Sequence, residues 1–156
     1  MIPFSISFSK IIETRLNPNQ ILYLLDISEN MLYKRGADRI TRDDNNIYFK
    51  NRFFKFASNW NIMRNIDGGC FNISSIYGTT KIEYKITLIR TSIQLIPAIL
   101  ALLLVFYVPI YFLLLFILFP ILGWIYIVIS HSDFFDEIIK EFKFRFENDK
   151  ELNELN

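Results

Sequence analysis

In 156 residues the chain has one cysteine, Cys70, and one histidine, His131. A single Cys excludes an intrachain disulfide, so the fold does not depend on oxidation. It also leaves a Cys–His catalytic pairing no choice beyond these two residues, and Cys70 reads as a small buried strand residue. Glycine-rich phosphate loops, zinc-ligand spacings, nucleophile elbows and paired carboxylates in a catalytic setting are all missing. The expectation is a protein that is not an enzyme, with no catalytic residues, cofactor or metal. A basic start followed by a continuous apolar run is also missing, which argues against a secretory signal. The largest absence is of charge. Between Arg90 and Asp133 lie 42 residues without one Asp, Glu, Lys or Arg.

Most of that uncharged stretch is Leu, Ile, Phe, Val, Tyr and Ala. One membrane crossing needs about 20 apolar residues. As one helix the stretch would run ~60 Å at ~1.5 Å per residue, twice the ~30 Å of a bilayer's hydrocarbon core. The sequence therefore predicts a transmembrane helical hairpin with spans at 93–108 and 110–129. Its turn is expected at Tyr107, Pro109 and Tyr111, with a re-entrant hairpin as the alternative. Helices in lipid pair through small residues, so Ala98 and Ala101 are expected to meet Pro120 and Gly123. Arg90, Trp124, Tyr126 and His131 are the expected interface anchors. Lys81, Lys85 and Arg90 precede the hairpin, and Lys140, Lys143 and Arg145 follow it. The positive-inside rule then places both termini in the cytoplasm, at a bacterial inner membrane or, alternatively, an organellar one.

The flanks carry ordinary folding signals. Ile2, Phe4, Ile6 and Phe8 alternate with Pro3, Ser5, Ser7 and Ser9, the period of a half-buried strand. Asn17-Pro18 reads as a helix start, with Asn as cap and Pro at the first helical position. Ile21, Leu22, Leu24, Leu25 and Leu32 give that helix an apolar face, and Gly36 is its expected stop. A break near Ser28-Glu29-Asn30 would divide it into two. Beyond Asp38 an antiparallel meander of four or five strands is expected, with turns at residues 43–46, at Asp67-Gly68-Gly69 and at Gly78, and a strand from Trp60 to Ile66. Phe135, Ile138, Ile139, Phe142 and Phe146 recur at helical spacing, so an amphipathic helix closes the chain.

Residues 1–91 carry thirteen Lys and Arg against eight Asp and Glu, net +5. Residues 131–156 carry four against eight, net −4. Opposite signs predict that the last helix docks on the domain formed by the first segment. Asp133, Asp136 and Glu137 are read as acids in the first turn of that helix, where its positive end stabilises them, rather than as a metal site. Lys34, Arg35, Arg39 and Arg42 read as a solvated surface. Nucleic-acid binding would require a stronger net charge and a recognisable module.

The order of segments at 2–9, 18–32, 47–88 and 133–146 resembles a reduced helix-grip domain of the START/polyketide-cyclase type. It is also similar in layout to small bacterial two-span membrane proteins. The chain departs from the helix-grip pattern in having fewer strands and a hairpin where later strands belong. The resemblance implies a lipid or another apolar ligand held between helix and sheet. The expected class is α+β: an α+β domain over residues 1–91, the hairpin at 92–131, the returning amphipathic helix at 132–148 and a frayed tail at 149–156. The expected function is that of a membrane-anchored, non-catalytic accessory or interaction protein with membrane lipids and a protein as partners. A module binding a lipid or apolar ligand is the alternative.

Overall fold

The computed structural model describes residues 5–52, 62–88 and 110–154. It is an α+β arrangement. Strand β1 (Ser5–Ile12) is followed by helix α1 (Pro18–Lys34), then β2 (Arg39–Asp43), β3 (Asn46–Lys50), a short 3-10 turn (Ile62–Asn65), β4 (Gly68–Ile76), β5 (Thr79–Thr87) and helix α2 (Ile110–Glu154). The five strands form one antiparallel sheet in the order β1-β5-β4-β3-β2.

Helix α1 starts and stops on sequence signals. The Asn17 side chain accepts from the Gln20 N–H at 2.8 Å, and the Gln20 side chain accepts from the Asn17 N–H at 2.8 Å. This reciprocal box satisfies two otherwise orphaned donors. At the other end Gly36 adopts φ 87°, which glycine tolerates without Cβ strain, and Gly36 and Ala37 N–H donate to the Tyr33 and Leu32 carbonyls. The expected break at Ser28 does not occur. Its hydroxyl is buried and donates to the Leu24 carbonyl one turn back, so the helix continues.

The sheet is not built as expected at two places. Residues 62–65 form a 3-10 turn rather than part of a strand. Gly68 and Gly69 lie inside β4 rather than in a turn. The reason is close approach. A Cβ on Gly69 would fall 2.1 Å from the Lys85 carbonyl oxygen and 2.7 Å from the Phe49 ring. Phe49, its cross-strand partner, lies over the space left by the missing side chain.

Both helices cover one face of the sheet. Ile47, Phe49, Phe71, Ile82, Tyr84 and Ile86 point from the strands into a shared core with Leu24, Leu25 and Leu32 of α1 and Phe134, Phe135, Ile138 and Phe142 of α2. The opposite faces of the strands carry Ser, Lys, Glu and Asn at alternate positions. Burial of this many large side chains is the main favourable term, at roughly 1.5–3 kcal/mol each. The sequence-predicted docking of the last helix is therefore present, and its charges meet as expected. Lys10 on β1 pairs with Asp136 at 2.8 Å, and Arg35 at the end of α1 pairs with Glu137.

The membrane architecture is corrected. Among the described residues, no helix is long and apolar enough to cross a membrane. The transmembrane hairpin and the integral-membrane placement with cytoplasmic termini do not stand on this structure. Part of the reason is visible in α2. The helix runs unbroken from Ile110 to Glu154, through the expected boundary between return span and amphipathic helix. Ile127 and His131 near that boundary are buried in the α+β core. Some of the uncharged stretch thus lacks charge because it faces a protein interior. The proposed first span at 93–108 lies outside the described residues.

Candidate functional site

Only part of the expected site falls within the described residues. Arg90, Ala98, Ala101, Tyr107 and Pro109 lie outside the described residues. Tyr111 and Pro120 are inside α2, so Tyr111 belongs to a continuous helix and not to a turn. Gly123 is exposed, and a Cβ placed there would meet nothing within 4 Å. Trp124 and Tyr126 are exposed on the same helix.

His131 is fully buried rather than interfacial. Its Nε2 lies 3.3 Å from the Ile62 carbonyl oxygen, which can only accept. Nε2 must therefore carry the proton, leaving Nδ1 to accept from the Tyr84 hydroxyl at 2.9 Å. Three separate elements are joined here: β5, the 3-10 turn and α2. Burial pushes the His131 pKa down from 6.5 to about 4, partly offset by the Ile62 carbonyl, so the ring is neutral near neutral pH. Burial likewise pushes the Tyr84 hydroxyl well above its ordinary value. The Tyr84 ring packs with Phe8, Phe49, Phe134 and Phe135 at centroid distances of 5.8–6.1 Å. Such a site holds elements together. It offers no open approach for a substrate.

Sequence reasoning missed this contact, although two signals point to it. His131 continues the stripe Ile127, Phe134, Ile138, Phe142 at spacings of three and four residues. Tyr84 falls on the same alternation as Ile82 and Ile86.

The other candidate groups are occupied. Cys70 lies on β4 with its side chain on the face away from His131, and burial pushes its thiol pKa up, away from the reactive thiolate. Asp136 and Glu137 sit mid-helix, so their role is not that of first-turn acids. They form the ion pairs to β1 and α1. Among the described residues no group of three or more His, Cys, Asp or Glu is placed to hold a metal ion. Arg42 pairs with Asp26 of α1 and reaches Glu29 at 3.9 Å, while Arg35 also lies over the Phe134 ring at 5.9 Å. A cavity of about 320 Å³ between the helices has a mixed lining, with Asp26, Arg35, Glu137 and Arg145 beside Tyr23 and Met31.

The remaining surface feature is the part of α2 from Leu118 to Tyr126. Leu118, Phe119, Ile121, Leu122, Trp124 and Tyr126 are 43–70% exposed. Successive helical residues are ~100° apart, so these side chains point in every direction around the axis. Beyond the sheet, α2 is an apolar rod uncovered by the described residues. Comparisons with protein-family models, curated proteins and solved structures gave no match.

Proposed function

We propose that this chain is a non-catalytic interaction protein. Its α+β body holds one half of α2 and presents the other half to an apolar surface of a partner protein. The observation carrying this reading is the exposure of Phe119, Trp124, Tyr126 and their aliphatic neighbours on all sides of one helix. A contiguous apolar surface of this kind marks an interaction site. Large aromatics are the side chains that dominate protein interfaces. The body supplies the anchor: α2 is held by its buried Phe134, Phe135, Ile138 and Phe142 and by the buried His131–Tyr84 contact.

A ligand-binding role draws less support. The space between helices and sheet is filled by Phe71, Tyr84, Phe134 and Phe135.

Native mass spectrometry of the full chain after gentle extraction tests the reading. The expected result is a stoichiometric protein partner that is lost from Phe119→Ser and Trp124→Ala variants with unchanged far-UV circular dichroism. A chain carrying lipid alone, or a partner retained by both variants, overturns it.

A further inference from the structure

The sheet has two edges, and they differ. β2 is five residues long and carries Arg39, Arg42 and Asp43. Short length and charge are usual ways of blocking an edge from pairing with another chain. β1 is eight residues long and contains no proline. Its register with β5 runs without a bulge from Ser5↔Thr87 to Ile12↔Thr80, and Lys10 is its only charge.

The direction of its outer main-chain groups can be read from β5. The carbonyls of Thr79, Lys81, Lys85 and Thr87 are directed toward β4. The first two accept from Ser75 and Ser74 hydroxyls at 3.5 Å, the third abuts Gly69, and the fourth accepts from the Asp67 N–H at 2.9 Å. Main-chain direction alternates along a strand. Thr80, Ile82, Tyr84 and Ile86 therefore bond β1, through their partners Ile12, Lys10, Phe8 and Ile6. Ser5, Ser7, Ser9 and Ile11 must direct their N–H and C=O groups outward. No described residue pairs with that edge.

We propose that β1 pairs antiparallel with β1 of a second copy of this chain, about a two-fold axis through Phe8, making one ten-stranded sheet. This register sets Ser7 against Ser9 of the second copy and Ser5 against Ile11 of the second copy. All four outward residues then form hydrogen-bonded pairs. Phe8 meets its own symmetry mate at a non-hydrogen-bonded position, where Cα atoms approach to about 4.5 Å and side chains are closest. The ring row Phe49–Tyr84–Phe8, with 6.0 Å steps, stops at this edge, and the second copy continues it. Ile6, Phe8 and Ile12 are only partly buried, so pairing also covers apolar surface. Charge permits the register. Lys10 lies opposite Ile6 of the second copy, which keeps the two Lys10 side chains about 13 Å apart along the strand, beyond the ~8–10 Å screening length. The helices also have room. The ring contacts of Tyr84 place α2 over β5, and three strand spacings separate it from its mate by about 14 Å, more than the 8–10 Å of packed helices. This pairing is independent of the partner on the apolar half of α2.

The test is sedimentation of the full chain with the α2 surface masked by a non-ionic detergent. The wild type should be a dimer. Ser7→Pro should be a monomer with unchanged circular dichroism, because the N–H it removes points outward and takes no part in the β1–β5 ladder. Register is read by mixing Ser7→Cys and Ser9→Cys chains, both carrying Cys70→Ser. Facing Cα atoms about 5.5 Å apart admit a disulfide, so the mixture should oxidise to heterodimers more efficiently than either variant alone. A monomeric wild type, a dimer that Ser7→Pro leaves intact, or equal crosslinking in all three samples overturns the proposal. A dimer split only by Phe119→Ser would place self-association on α2 instead, and overturns it as well.

Discussion

Helix α2 contains two regions that are both rich in large apolar side chains and opposite in circumstance. In the half nearer the C-terminus, Ile127, His131, Phe134, Phe135, Ile138 and Phe142 fall on one side and are buried, while Asp133, Asp136, Glu137 and Lys140 occupy the other. From Leu118 to Tyr126 the described apolar side chains surround the axis and stand exposed. The difference teaches that a helix is oriented against its own chain only when its apolar residues fall on one side and polar ones on the other. A stripe has one face to bury and one to wet. A rod with no polar face gains from every neighbour equally and is oriented by none.

The sharpest way to break this comparison is to remove one ring from the buried half. Phe135→Ala should cost about 3–5 kcal/mol, the range for deleting a buried aromatic, because it removes contacts to Phe71 and Tyr84. Urea denaturation would measure it. A loss under 1 kcal/mol would mean that α2 is not held as described.

Acid comes next. Between about pH 6.5 and 4 the unfolded chain takes up a proton at His131 that the folded chain refuses. The unfolded state thus binds more protons there, and stability falls as pH drops through that window, by about 3 kcal/mol in full. His131→Leu should remove this dependence, whatever it does to stability at pH 7. Denaturation midpoints across that pH range, compared between the two proteins, check the sign.

Lys10→Ala should cost no more than about 1 kcal/mol, since both partners of the pair with Asp136 are nearly half exposed. The smallest effect belongs to the bare half. Phe119→Ser should leave the unfolding midpoint within about 0.5 kcal/mol of wild type, as an exposed side chain with no described contact. If Phe119→Ser destabilised the chain as much as Phe135→Ala, the contrast between the halves would be lost.

Much of the body was legible in the chain. The Asn17-Pro18 start, the Gly36 stop, the Ser-faced first strand and the Phe/Ile stripe of α2 are local signals, and local physics honoured them. Charge balance pointed to the docking of α2 on the sheet, realised at Lys10–Asp136 and Arg35–Glu137. What failed depended on distant neighbours. Gly68-Gly69 has the look of a turn, and only the position of Phe49 and Lys85 shows that β4 needs backbone without side chains there. His131 has the look of a polar end-marker until Tyr84 and the Ile62 carbonyl are brought to it from 47 and 69 residues away. The uncharged stretch reads as two membrane spans to 129, although Ile127 near its end belongs to the body's own core.

The placement of β1 has a kinetic consequence. Hairpins β2–β3 and β4–β5 close over two-residue loops, Asp44-Asn45 and Tyr77-Gly78, and β4 joins β3 across a modest separation. β1 must instead find β5 across most of the body's length, since Ser5 pairs with Thr87. Hairpins form in microseconds, whereas long-range pairing must meet the loop-closure entropy before any contact rewards it. Of the five described strands, the first to be synthesised should thus be the last to enter the sheet. Until it does, β5 is the edge, and Thr80, Ile82, Tyr84 and Ile86 offer the hydrogen bonds reserved for β1. In pulse-labelled hydrogen exchange during refolding, the amides of β2–β4 should gain protection first, and those of β1 with their partners on β5 together and later.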